Sequence, residues 1–502
     1  MKKNILIIVL SSLGICLVIF LLIGFFTRGN TMPMMPPVRI SYPKVDEDAL
    51  YMERIFDTNY VHEVNVKINK SDWEDLKNNS LAKRKYTVDV IIDGIKFSNV
   101  SFKTKGNSSL KNIATGPAEG PASSRFSFKI DFGKYEKNQT YFGLDILNLN
   151  NIYGDASYLN DYVSYELFRQ VGVPAPLASF VYVKINGENL GLYSAVEEIG
   201  DSFFERNQLE GLLYKPEQMS GKDRGSSLTY VDEKEENYID LFNNAESIIT
   251  DTDKTRLIQS IQKLNQKEDL EKVLDTQEII RYFVAHNYVL SYDSYTGKSI
   301  HNYYLIENNG VLSMIPWDYN LSFGRYNMME DINTIVNYGI DSPLNRAQSI
   351  NRPMWNWIEK SDKYREEYHK VMNQLITNFF ESGKFDYFVD TTYDLIKPYI
   401  PMDISAFYNP TQVETAVNSL KEFCQYRTQS IRLQLDGKLS TITENQITEN
   451  KVDASNIDLN NLGFIADDTK KQNNNTETHH TDNQDTTHRK KSHSTASEES
   501  ES

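Results

Sequence analysis

The 502-residue chain carries a formal net charge of −16, with no basic stripe to offset it locally, which excludes nucleic acid as a partner class. Its two cysteines, Cys16 and Cys424, are far apart in sequence, and Cys16 lies inside an apolar run. No intramolecular disulfide is therefore expected, and a sizeable core must stabilise the fold.

In chain order, Lys2 and Lys3 precede an uncharged apolar run at 5–26, which Arg28 follows. About twenty residues at a rise of about 1.5 Å each cross a hydrocarbon core of about 30 Å. The positive charge on the amino-terminal side keeps that end inside. The expectation is a single-pass, membrane-anchored protein with its main domain extracytoplasmic. The anchor occupies 1–29 and a proline-rich stem 30–48. A folded domain at 49–438 follows, then a disordered polar tail at 439–502.

Alternating apolar residues predict strands around 64–68 and 86–92, and Asp93-Gly94 then turns the chain back into Ile95-Lys96-Phe97. A further strand covers 125–132. Leu159, Val163, Leu167 and Val171 share one face of an amphipathic helix at 157–171. Strands at 179–186 and 190–197 are joined around Asn186-Gly187. Beyond residue 240 the pattern is mostly helical, with helices at 240–265, 276–292, 361–382, 384–398 and 411–436. A β-rich first half before a helical second half predicts an α+β protein of two lobes, with a ligand cleft between them.

Three constellations carry candidate chemistry. Lys103-Thr104-Lys105-Gly106-Asn107-Ser108-Ser109 combines a glycine that lets backbone amides approach an anion with hydroxyl donors and charge; it also reads as an ordinary turn. Lys129 points away from the apolar face formed by Phe126, Phe128, Ile130 and Phe132. It could reach nucleotide phosphates and pair with Glu166 of the following helix, or lie on a solvated sheet face. The third is Asp293 after a helix, then a strand from His301-Asn302, a turn at Asn308-Asn309-Gly310, and a second strand ending at Trp317-Asp318-Tyr319-Asn320. One carboxylate so placed can orient or deprotonate a hydroxyl, and an amide with the second can hold magnesium against phosphates. Taken singly, each aspartate also reads as a turn cap.

Gly106-Asn107-Ser108-Ser109, Glu166-Leu167-Phe168 leading to Gly172-Val173-Pro174-Ala175-Pro176, Gly191-Leu192-Tyr193, Leu213-Tyr214-Lys215-Pro216 and Ile315-Pro316-Trp317-Asp318 occur in this order. Together they resemble the spore-coat CotH kinase family over roughly 60–436. The resemblance implies an atypical two-lobed, protein-kinase-like fold that moves the γ-phosphate of ATP to Ser or Thr of spore-coat or cell-surface proteins, with Mg or Mn. It implies Asp293 and Asp318 as the essential acidic pair. Asn302, Asp318 and Asn320 become metal ligands, although family members often have Asp where Asn320 stands. Gly106, Asn107, Ser108, Ser109, Lys129 and Glu166 would contact nucleotide, and Glu197 and Glu198 would lie near the adenine. The readings weighed beside a kinase are an inactive kinase-fold adhesion or scaffold protein and transfer of another group such as AMP. The Ser-rich end of the tail, through Ser492, Ser494, Ser497, Ser500 and Ser502, is a candidate acceptor in cis or a solvating terminus.

Overall fold

The computed structural model describes residues 47–116, 124–218, 221–327, 330–344 and 351–463, all within the compact unit Asp46–Ser502. The apolar run at 5–26, most of the stem and the serines beyond 490 lie outside the described residues.

Seven strands close into a barrel: β1 (His62–Lys67), β2 (Tyr86–Ile92), β3 (Ile95–Lys105), β4 (Ser127–Asp131), β5 (Ile146–Asn150), β6 (Ala178–Ile185) and β7 (Glu188–Glu197). Their order is β1-β2-β3-β4-β5-β7-β6, and a parallel β1–β6 pairing closes an otherwise antiparallel ring. Alternation fills the interior with Val66, Val90, Phe102, Phe128, Ile130, Leu147 and Leu149, all buried. Phe102 and Phe128 stack there with ring centroids 4.6 Å apart. The predicted hairpin turns have the expected mirror-image geometry, with φ of 48° and 84° at Asp93-Gly94 and 55° and 90° at Asn186-Gly187.

A second sheet runs β10 (Val311–Pro316), β9 (Tyr303–Asn308), β8 (Leu212–Tyr214). Helix Thr276–Val289 buries residues on every side, including Ile280, Phe283, Val284 and Tyr288, as a helix at the centre of a helical layer must. Helix Asn160–Gln170 packs against it and against β6. Helices Asp362–Leu375, Lys384–Ile396 and Pro410–Leu435 complete the layer. The described residues thus form a mixed α+β protein.

A buried ion pair ties barrel to helices. Arg125 Nη1 donates to both oxygens of Asp403 at 2.8 Å, and Asp403 accepts the Leu192 amide at 3.0 Å. A side chain at Gly191 would place its Cβ 2.1 Å from Asp403, which explains the glycine of the Gly191-Leu192-Tyr193 motif. Removing one partner of such a pair typically costs about 3–5 kcal/mol, because the other charge stays buried.

Two expectations are corrected. Residues 439–463 do not leave the core: Ala454, Leu459 and Leu462 are buried, Asn337 donates to the Val452 carbonyl at 2.8 Å, and Arg325 to that of Leu459 at 2.8 Å. Scattered aliphatic residues with side-chain hydrogen bonds to the backbone hold this strap without any aromatic anchor. The membrane-anchored, extracytoplasmic localisation is withdrawn. Among the described residues no helix is long and apolar enough to cross a membrane. The 26-residue Pro410–Leu435 has the length, but it carries Glu414, Lys421, Glu422, Arg427 and Arg432.

Candidate active site

The outer face of the barrel forms one wall of a cleft. Register places Lys103 opposite Lys129, and Lys129 opposite Asn148, in a single row across β3, β4 and β5. Their neighbours Phe102, Phe128 and Leu147 point into the barrel, so this row must face out. Lys129 Nζ lies 3.0 Å from Glu198 Oε1, and Asn148 Nδ2 donates to Glu198 Oε2 at 2.7 Å. Burial alone would raise the Glu198 pKa, but the charges of Lys129 and Lys105 outweigh it and hold the carboxyl below the usual range.

Lys105 ends β3. Its Nζ donates to Asn150 Oδ1 at 2.8 Å and lies 5.2 Å from the centroid of the Trp317 ring. Desolvation lowers its pKa to about 8 against the opposing pull of Glu198 and Asp318. Gly106, with φ of 98°, then turns the chain into helix Ser108–Thr115, and Lys83 donates to Asn107 Oδ1 at 2.7 Å.

Loops supply the facing wall. Asp293 follows helix Thr276–Val289; its Oδ1 meets His301 Nε2 at 2.8 Å. Asn302 Nδ2 donates to the Asp293 carbonyl at 2.8 Å and to Oδ2 at 3.3 Å, which leaves the amide oxygen of Asn302 as an acceptor. The His301 pKa is raised: burial disfavours its charge, but the Asp293 carboxylate more than compensates. Asp318 follows β10 after one intervening residue, Trp317, and has φ of 58°. Desolvation raises its pKa, with Lys105 opposing and Asp293 adding to the rise. Asp161, on helix Asn160–Gln170, is pushed up to about 7 by burial and by Asp318. Lys215 reaches in from beyond β8, its Nζ 5.3 Å from the Tyr304 ring and 5.7 Å from that of Trp317.

The two walls enclose a cavity of about 560 Å³. It brings together the predicted Gly106, Asn107, Ser108 and Ser109 with Lys129 and Glu198. From the other side come Asp293, Asn302, Asp318 and Asn320. Two predicted residues are absent from it. Glu166 does not pair with Lys129; it bonds Arg169 at 3.0 Å and Gln170 at 2.6 Å on its own helix. Glu197 points away from the cleft to Arg206 at 2.7 Å and the Tyr51 hydroxyl at 2.7 Å. Glu197 ends β7 and Glu198 follows it on the opposite face of the extended chain, so only Glu198 of that pair fronts the cavity. Among the cavity-lining residues given no role of their own by the sequence are Lys105, Lys215 and His301. Their signal was present, since Lys105 belongs to the glycine-turn segment and Lys215 to Leu213-Tyr214-Lys215-Pro216.

Among the described residues no cluster of three or more His, Cys, Asp or Glu side chains is placed to hold a metal ion. Magnesium commonly needs only one or two carboxylates, with substrate phosphates and water completing its shell. Asp318 with the amide oxygens of Asn302 and Asn320 fits that pattern.

The sequence model of the family described as "CotH kinase protein" matches residues 102–431, well over half of the chain. The chain belongs to the CotH family. It is also 24% identical over 297 residues to the inner spore coat protein H of Bacillus subtilis (strain 168), a match covering 57% of this chain and 77% of that protein. The CotH region spans both walls of the cleft, from Phe102 in β3 to Ile431 in helix Pro410–Leu435. This CotH protein is therefore related to a spore coat protein.

Proposed function

We propose that this CotH protein is an ATP- and magnesium-dependent phosphotransferase acting on Ser or Thr of spore-coat proteins, its barrel and helical parts serving as the two lobes of an atypical protein-kinase-like fold. One observation carries the reading. Lys105 and Lys129, on adjacent barrel strands, face Asp293 and Asp318, which arrive from separate loops, across a single cavity. Phosphoryl transfer asks a protein chiefly for positioning and charge compensation, and this arrangement offers both.

ATP would lie with its phosphates between the lysines and Asp318. Lys105 and Lys129 offset phosphate charge, while Gly106 and the start of helix Ser108–Thr115 present backbone amides. Asp318, Asn302 and Asn320 would hold the magnesium, which when bound neutralises charge on the phosphate oxygens. Asp293 orients the acceptor hydroxyl and takes its proton as the oxygen bonds to the γ-phosphorus; the bond from that phosphorus to the β,γ-bridging oxygen breaks and ADP leaves. His301, bonded to Asp293 at 2.8 Å, fixes the carboxylate's orientation.

Incubating the full-length chain and a Ser-rich acceptor peptide with γ-labelled or α-labelled ATP tests the reading. Incorporation from the γ position alone is expected. Label from the α position would replace phosphoryl transfer with AMP transfer, and absence of either would favour the binding or scaffold role.

A further inference from the structure

Helix Asn160–Gln170 grips the backbone on which Asp318 stands. Asp318 donates its amide to the Tyr165 hydroxyl at 3.0 Å, Tyr319 donates its amide to Asp161 Oδ1 at 2.7 Å, and Asn160 Nδ2 donates to the Asn320 carbonyl at 2.8 Å. Three consecutive residues are thus held by three side chains of one helix, two of them, Asp161 and Tyr165, four positions apart on the same face. The grip has something to hold, because a non-glycine residue with φ of 58° is disfavoured unless its surroundings stabilise it.

The same helix is joined to the opposite wall. Asp161 Oδ2 accepts from Asn150 Nδ2 at 3.2 Å, and Asn150 Oδ1 accepts from Lys105 Nζ at 2.8 Å. An unbroken path therefore runs from the Lys105 ammonium through Asn150 and Asp161 to the Tyr319 amide beside Asp318. Lys105, Asn150, Asp161 and Asp318 also line one small space of about 70 Å³.

We infer that Asn150 and Asp161 are positioning residues that hold Lys105 and Asp318 in register across the cleft. This deepens the phosphotransfer reading and rests on it for its catalytic meaning. Asp161 acts as a hydrogen-bond acceptor for the Asp318–Asn320 backbone, and neither it nor Asn150 touches substrate.

The test uses the full-length chain with Asp161→Ala, Asp161→Asn and Tyr165→Phe, measuring kcat and KM for ATP and amide hydrogen exchange by mass spectrometry. Asp161→Ala should lower kcat about ten- to a hundredfold, with KM changed by about twofold or less. Exchange in the peptide covering 316–323 should rise about tenfold while that of β1 and β2 is unchanged. Asp161→Asn keeps an acceptor oxygen for the Tyr319 amide but sets an amide donor against Asn150 Nδ2, so it should restore exchange at 316–323 to within about threefold of wild type and recover kcat only in part. Tyr165→Phe removes only an oxygen, and should loosen the same peptide even if Asp161→Ala fails to fold. Unchanged exchange at 316–323 in Tyr165→Phe and in any folded Asp161→Ala overturns the inference. So does an Asp161→Asn enzyme as slow as Asp161→Ala with native exchange, because holding the Asp318–Asn320 backbone would then not be what sustains kcat. A wild-type chain that transfers no phosphate removes the phosphotransfer reading alone, and the exchange data still decide whether the path exists.

Discussion

The two walls of the cleft are built on different principles. The barrel wall places Lys103, Lys129 and Asn148 by strand register, with each side chain's direction set by a buried neighbour such as Phe102 or Phe128. The facing wall places Asp293 and Asp318 on loops, with Asp318 and Asn302 both at positive φ, Asp318 held by the hydroxyl of the distant Tyr165 and Asn302 by its own side chain's bond to the Asp293 carbonyl. Moving a strand lysine means disturbing a closed barrel, whereas moving Asp318 means breaking the hydrogen bonds that one helix makes to residues 318–320. The cationic wall thus rests on sheet register and the acidic wall on a few side-chain hydrogen bonds, so single substitutions should disturb the second more readily than the first.

The largest effect should come from the acidic wall. Asp318→Ala and Asp293→Ala should each lower transfer by about two to three orders of magnitude, of the order of 3–4 kcal/mol in barrier, with circular dichroism and melting temperature near wild type. A folded Asp318→Ala protein of full activity would dissolve the contrast between the walls. Lys105→Met should cost about a hundredfold in kcat/KM, and Lys129→Met about tenfold, because Lys105 alone links to Asp161 and interacts with Asp318. The reverse ranking would make β4, not the end of β3, the phosphate-facing strand.

A smaller effect should appear with pH. Lys105 loses its proton near pH 8 in the folded chain, well below the usual lysine value near 10.5. The kcat/KM should therefore fall about tenfold per pH unit above that point, and the fall should be absent in Lys105→Met. The stability linkage of the same group has the opposite sign: between pH 8 and 10.5 the unfolded chain binds more protons at this lysine, so its contribution to stability rises with pH. Smallest is the thermal signal. ATP with magnesium at a hundredfold excess over Kd adds about 2.7 kcal/mol, of the order of a few degrees in a scan, and ATP with chelator should give less. Equal shifts with and without metal would mean that the cationic wall alone binds nucleotide.

Much of this could be read from residue order. The β2–β3 hairpin, the β6–β7 pair and the helices after residue 276 follow from period and turn chemistry, because those signals are local. Choosing between Glu197 and Glu198 was beyond local reasoning: strand alternation says that they face opposite ways but not which face fronts a cleft. Glu166 was placed correctly on its helix, yet Arg169, one turn on, satisfied it before Lys129 could. Lys129 found Glu198 instead, a partner brought close only by the pairing of β4, β5 and β7.

The sequence by itself determined the alternating classes of element, the turns, and a set of ordered motifs that identify the CotH family. Tertiary structure decided that seven strands close into a barrel through the parallel β1–β6 pair, residues separated by more than a hundred positions. It also decided that the chain stays packed as far as residue 463, and that Lys105 sits deep enough to lose its proton near pH 8. Closure, docking and desolvation depend on what lies across a gap, and periodicity along the chain carries no information about that.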